Sequence, residues 1–217
     1  VILKLKPKKL YIFQDGKKKN FSNKELKNHI KTTILIKNAT RNKKVKVIYF
    51  KKNLGQKIIG YKMMRYIFNY ETECIVIEDD CVPRNSFFKY CSEMLKRYKN
   101  SKNIAHISGC NLFYGVYKKK IEKSDIFFSK FPHFMGWATW RDRWKKYYDP
   151  NIKDWPKNKK RFLNKSNLRN GEKRFFKYYL NKIYNNPKLS VWDTQWLYYN
   201  ILYDLKTVVP NVNLIKN

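Results

Sequence analysis

Three adjacent carboxylates, Glu78, Asp79 and Asp80, are the residues of this sequence best suited to chemistry. With Glu71 and Glu73 they place five of the sixteen acids within residues 71–80. Like charges crowded this closely repel, and a divalent cation offsets that repulsion. Hard oxygen donors suit Mg²⁺ or Mn²⁺. A cation held there would bind a diphosphate and neutralise charge developing on a leaving group. The alternative is an acidic loop capping the helix that follows, because Asp favours helix N-termini. A further acid, Asp193, lies between Trp192 and Trp196. Burial among aromatic rings raises a carboxyl pKa, which suits a general base working near neutrality. The alternative for Asp193 is an ordinary helix N-cap.

The elements that must position these acids follow from pattern. Lys9–Gln14 and Val45–Phe50 are β-rich runs, the first ending in an Asp15-Gly16 turn. Ser22 with Glu25 three residues on has capping-box spacing and opens a helix over Ser22–Thr32. Gln56–Tyr70 reads as an amphipathic helix. Cys74–Ile77 is a continuous apolar run, the signature of a strand buried on both faces, and it leads directly into Glu78. A helix over Asn85–Tyr98 carries Phe87, Phe88, Cys91, Met94 and Leu95 on one stripe, and Ile104–Ile107 is the next strand. Strands alternating with helices imply an α/β fold with βαβ units, a mostly parallel sheet and right-handed crossovers. Ligands of such sheets bind beyond the carboxyl ends of the strands, where the acidic triplet falls.

From about residue 126 the texture changes. All six Trp lie between Trp137 and Trp196. Helices are expected over Gly136–Tyr147, Lys157–Leu168, Glu172–Tyr184 and Val191–Tyr203, with a last strand at Thr207–Val209. The division is therefore a sheet-forming part over 1–125 and a helical part over 126–217, within one structural domain. Trp137, Trp140 and Trp144 fall at helical spacing, which predicts an apolar stripe. A lone His133 is expected to be structural. Cys74, Cys91 and Cys110 sit in apolar patterns and are expected in the core.

Five segments follow one another over residues 8–196: KKLYIFQDG, KNLGQK, IEDDCVPRNSFF, FPHFMGWATWRDRW and VWDTQW. In this order they resemble GT-A fold glycosyltransferases, which use nucleotide-sugar donors. The likeness is to bacterial nucleotide-diphospho-sugar transferases of surface-polysaccharide loci and, more distantly, to the animal N-acetylglucosaminyltransferase I family. The resemblance implies a Rossmann-like sheet carrying the donor and a Trp-rich helical lobe on the acceptor side. Carried over by position, Glu78 and Asp79 contact the donor and Asp80 holds Mn²⁺ or Mg²⁺. Asp15 touches the nucleotide base, with a plain Asp-Gly turn as the alternative. Asn53 and Gly55 lie near the donor, with a helix-entry loop as the alternative. Gly136 allows close backbone approach, Trp137 and Trp192 contact sugar, and Asp193 is the general base. The implied reaction is a metal-dependent, inverting transfer from a nucleotide-diphosphate sugar, with a UDP-sugar as the expected donor, to a hydroxyl of a glycan or glycolipid. The implied location is the cytoplasmic membrane face, with peripheral contact to anionic lipid. In that family a strand precedes the segment resembling VILKLKP, and a Gly- and His-containing tail follows the segment resembling VVPNVNLIKN. The resemblance thus implies truncation at both ends, and an inactive protein of the same fold is the alternative.

The 217 residues include 49 Lys or Arg against 16 Asp or Glu, a formal charge of +33. Such a balance suggests a polyanionic partner. It does not imply disorder, because hydrophobic residues make up 43% of the chain. A basic nucleic-acid-binding module is the rival reading. Against it, lysine dominates and is spread along the chain, and no zinc-finger, homeodomain or RNP1 motif occurs. No specific nucleic-acid partner is therefore expected.

Overall fold

The computed structural model describes residues 2–5, 7–112, 125–165 and 168–216. Val1 and Lys6 of the opening segment lie outside the described residues, as do positions 166 and 167 of the helix expected over Lys157–Leu168. The protein is a mixed α/β structure that divides into two compact units, Val1–Ile67 and Phe68–Asn217.

In the first unit, β1 (Leu10–Gln14) pairs in parallel with β2 (Val45–Tyr49), Ile12 opposite Val47. Between them runs α1 (Asn23–Thr40), longer than expected but started as the sequence indicates. Ser22 is its N-cap and the reciprocal Ser22–Glu25 capping box is formed. The Gln14 side chain ties β1 to α1 by donating to Thr33 Oγ1 at 3.0 Å. Helix α2 (Gly55–Tyr70) sets Tyr66 edge-on against Tyr11 and Phe13 of β1.

The second unit holds a five-stranded sheet ordered β3-β7-β5-β8-β6. Its strands are β3 (Glu73–Val76), β5 (Ile104–Ser108), β6 (Ile126–Ser129), β7 (Trp137–Trp140) and β8 (Lys206–Pro210). β5 and β8 are parallel, while β3–β7, β7–β5 and β8–β6 are antiparallel. The expected mostly parallel order is therefore not the one these pairings form. The reason is specific. β3, α3 (Asn85–Arg97) and β5 do form a crossover between strands running the same way, but β7 is inserted between those strands in the opposite direction. The sequence WATW falls within the helix expected over Gly136–Tyr147. Only its second half is helical, as α4 (Arg141–Tyr147). Trp and Thr favour the extended chain, and all four residues of β7 are buried, as befits a central strand. The region after 126 therefore contributes strands as well as helices.

Helix α3 buries Phe87, Cys91, Met94 and Leu95 against this sheet, with Phe88 half-buried beside them, which is the stripe the sequence predicts. A short bridge between β4 (Val82–Pro83) and β9 (Ile215–Lys216) fastens the chain just before α3. A second core forms among α5 (Trp155–Leu163), α6 (Asn170–Asn185) and α7 (Asp193–Leu202), around Trp155, Phe162, Phe176, Leu180 and Tyr198. Among the described residues, no helix is long and apolar enough to cross a membrane.

Candidate functional site

The acidic triplet sits at the carboxyl end of β3. The backbone turns there: Cys81 N donates to Glu78 O at 3.1 Å, so Asp79 and Asp80 occupy the two central positions of a β-turn. Both are exposed, while Glu78 is half-buried. The capping alternative fails locally. The N-cap of α3 is Arg84, with no side-chain cap hydrogen bond.

Asp193 arrives from the other end of the unit's sequence, as the first residue of α7. The N-cap position belongs to Trp192, whose side chain makes no cap bond, so the N-cap alternative for Asp193 also fails. The Asp193 carboxylate instead accepts from Thr194 N at 2.6 Å. What joins the two segments is Trp137. In β7 it pairs with Val76, the last residue of β3, and its indole stacks on Trp192 at 5.5 Å and 25°. One residue thus links the strand that ends at the triplet with the start of the helix that carries Asp193.

The electrostatics agree. Burial first, then the charges of Asp80, Asp193 and Asp79, push the Glu78 carboxyl up to about 7. Four acids therefore share one field.

Behind this surface is a buried polar-aromatic layer. His106 of β5 stacks parallel to Trp137 at 5.1 Å and 11°. Trp196 Nε1 donates to His106 Nδ1 at 3.3 Å, so Nδ1 is the acceptor and Nε2–H donates to His133 O at 2.9 Å. Burial lowers the His106 pKa to about 3, so its ring is neutral. His133 is also buried, with Nδ1 donating to Cys110 O at 3.1 Å, a structural placement. Tyr148 Oη donates to Trp192 O at 3.1 Å, and Phe134 packs edge-on against Trp192 at 5.0 Å. None of His106, Phe134 and Tyr148 was singled out from sequence. The one available signal was a His inside the otherwise apolar IAHI run.

Other expected site residues are placed differently. Trp137 is 0% exposed, so it forms the inner layer and cannot present a face to a sugar. Trp192 is half-buried, with one face on Trp137. Gly136 has φ +59, and a Cβ there would lie 2.6 Å from Ile215 Cδ1. Its lack of a side chain makes room for Ile215 and Phe87. In the first unit Asp15, Asn53 and Gly55 do come together. The Asp15 carboxylate accepts from Leu54 N at 2.9 Å, Gly55 N at 3.0 Å and Asn53 Nδ2 at 2.9 Å. It also accepts from Gly16 N at 2.9 Å, the Asp-Gly turn bond. Asp15 thereby clasps the end of β1 to the N-terminus of α2.

No protein-family model matches the chain, and a search of curated proteins finds no match either.

Among the described residues, no group of three or more His, Cys, Asp or Glu is arranged as a ready cation cage. Two exposed carboxylates on one turn are nonetheless a donor set that suits Mg²⁺ or Mn²⁺. Those ions commonly take one or two protein carboxylates and complete their shell with water and substrate phosphate.

Proposed function

We propose that the chain is a glycosyltransferase of GT-A type, moving a sugar from a nucleotide-diphosphate donor to a glycan or glycolipid hydroxyl with inversion. The observation that carries the reading is the Val76–Trp137 pairing with the Trp137–Trp192 stack, which links the strand ending at the Glu78–Asp80 turn to the start of the helix carrying Asp193. A bound Mn²⁺ or Mg²⁺ would neutralise the diphosphate leaving group. Asp80 would hold that ion, and Asp79 would contact the donor. Glu78, protonated near neutrality, would donate a hydrogen bond to the donor. Asp193 accepts the proton of the acceptor hydroxyl, whose oxygen attacks the anomeric carbon from the face opposite the diphosphate. The carbon–oxygen bond to the diphosphate then breaks, and no covalent enzyme intermediate is needed. The outer face of Trp192 would support the acceptor.

The test is release of nucleoside diphosphate from a panel of nucleotide sugars with Mn²⁺, in the wild type and Asp193→Asn. The loss expected for a general base is about 10²–10⁴-fold in turnover, with donor binding kept. Equal turnover in the two proteins would remove the base assignment. One observation favours the rival reading of a protein with this fold but no turnover: the Asp15 carboxylate, expected on the nucleotide base, is already engaged by four protein donors. Thermal stabilisation by UDP with Mn²⁺ distinguishes the two, since a ligand raises the melting temperature only where a pocket receives it.

A further inference from the structure

Helix α6 has an outward face that its packing does not explain. Its inward face buries Phe176, Leu180 and Ile183, which is enough to hold an amphipathic helix in place. The opposite face of such a helix is normally polar. Here the flank beside the buried stripe carries Phe175, Tyr178 and Tyr179, exposed by 50%, 61% and 40%. Their spacing of three and four residues puts them on one stripe. Arg174, Lys177 and Lys182 are exposed on the same helix, Lys182 over the Tyr178 ring, and no acid occurs from Lys173 to Asn185. Aromatic area of this size left in water marks an interaction surface.

We propose that this face of α6 docks the protein on an anionic lipid surface. Tyr and Phe rings suit the headgroup boundary, where an apolar body and a polar tip are both accommodated, and Lys and Arg stems lie along apolar surface with their charges in water. The face is cationic throughout, so it complements anionic headgroups in particular. The ring geometry argues against single-stranded nucleic acid. Base stacking requires open, roughly parallel platforms along a groove. Here Phe175 and Tyr179 pack on each other at 4.5 Å, Tyr178 meets Tyr179 edge-on at 89°, and Lys182 Nζ lies 5.9 Å over the Tyr178 ring. The rings cover one another on a convex helix, which meets a planar bilayer better than a strand of bases. The inference does not depend on the glycosyltransferase reading.

The test is cosedimentation of the full chain with vesicles of phosphatidylglycerol and phosphatidylcholine in equal parts, and with phosphatidylcholine alone. Long-range attraction is expected for any protein of charge +33, so the comparison lies between variants. One replaces Arg174, Lys177 and Lys182 by Gln, a second replaces Phe175, Tyr178 and Tyr179 by Ser, and a control replaces Lys24, Lys27 and Lys31 of α1 by Gln. At about fivefold per cation, the first should bind anionic vesicles about a hundredfold more weakly. The second should lose the binding that survives high salt, and the control should change much less than the first. Equal losses in the control and the first variant, or wild-type binding by the second, would overturn the proposal. So would loss of binding to a single-stranded oligonucleotide with vesicle binding intact. A measurement on the unaltered chain covers the case of misfolded variants. Deuterium uptake over residues 174–182 should fall on anionic vesicles, and unchanged uptake refutes the docking face.

Discussion

Replacing Asp193 by Asn tests whether the two ends of the site share one field. The neutral amide keeps the size of the side chain and removes one charge. In the wild type Glu78 is raised from 4.5 to about 7, by burial first, then by Asp80, Asp193 and Asp79. All four act in the same direction and Asp193 ranks third, so its share is at most a third of the rise. Asp193→Asn should therefore lower the Glu78 midpoint by no more than about 0.8 pH unit, leaving it well above an ordinary glutamate because burial remains. The assay is carbon-detected NMR titration of the Glu side-chain carboxyls in both proteins. Stability follows with a definite sign. A carboxyl with a raised folded-state pKa binds more protons folded than unfolded, so its contribution is full below pH 4.5 and is lost as pH rises through about 7. The variant should lose less over that interval. A wild-type midpoint near 4.5 would refute the burial of Glu78, and an unchanged midpoint in Asp193→Asn would refute the proximity on which the mechanism depends.

Further expectations concern the scaffold. Arg143 is 2% exposed and donates to the carbonyls of Tyr98, Lys99 and Ile104 while lying 4.2 Å over Trp140. Arg143→Ala should cost about 3–5 kcal/mol in urea denaturation, since it leaves the inward carbonyls of Tyr98, Lys99 and Ile104 without that donor while Asp142 keeps its Lys102 partner, and Lys should restore little because it lacks the planar fork. Gly136→Ala should cost about 1–3 kcal/mol by the same assay, whereas Gly171→Ala, on a helix with open space around it, should be neutral or slightly stabilising. Asp15→Ala removes the acceptor for Leu54 N and Gly55 N and should cost about 1–2 kcal/mol, detectable as faster amide exchange at the start of α2.

What the sequence made legible was local. The Ser22–Glu25 box and the α3 stripe follow from contacts within a few residues, and both are present; the apolar run before Glu78 does form a strand, but an edge strand that is half-buried except at Val76 rather than one buried on both faces. What it concealed was pairing. WATW carries tryptophans three apart, a spacing that suits a helix in isolation. Its partners are Val76 on one side and Ser108 on the other, and those contacts make it a strand. β4 and β9, two residues each, have no pattern of their own, and their bridge depends on a distant partner.

The site was partly legible for the same reason. Crowded like charges are visible in a sequence because adjacency alone creates the repulsion. The approach of Asp193 to them is not, because it runs through the Val76–Trp137 pairing and the Trp137–Trp192 stack. This also changes what Trp137 is for. As a sugar contact it would have needed an exposed face, and substituting it would weaken binding while sparing the fold. As the buried link between β3 and α7 it ties stability and site geometry together. Trp137→Ala should therefore cost about 3–5 kcal/mol and also pull the Glu78 midpoint down, because the same cavity frees Trp192 and lets water reach the acids. Trp192→Ala, at a half-buried position, should move the midpoint with a smaller loss of stability. If both substitutions lowered stability and neither moved the midpoint, the stack would be core alone and would have no part in bringing Asp193 to the triplet.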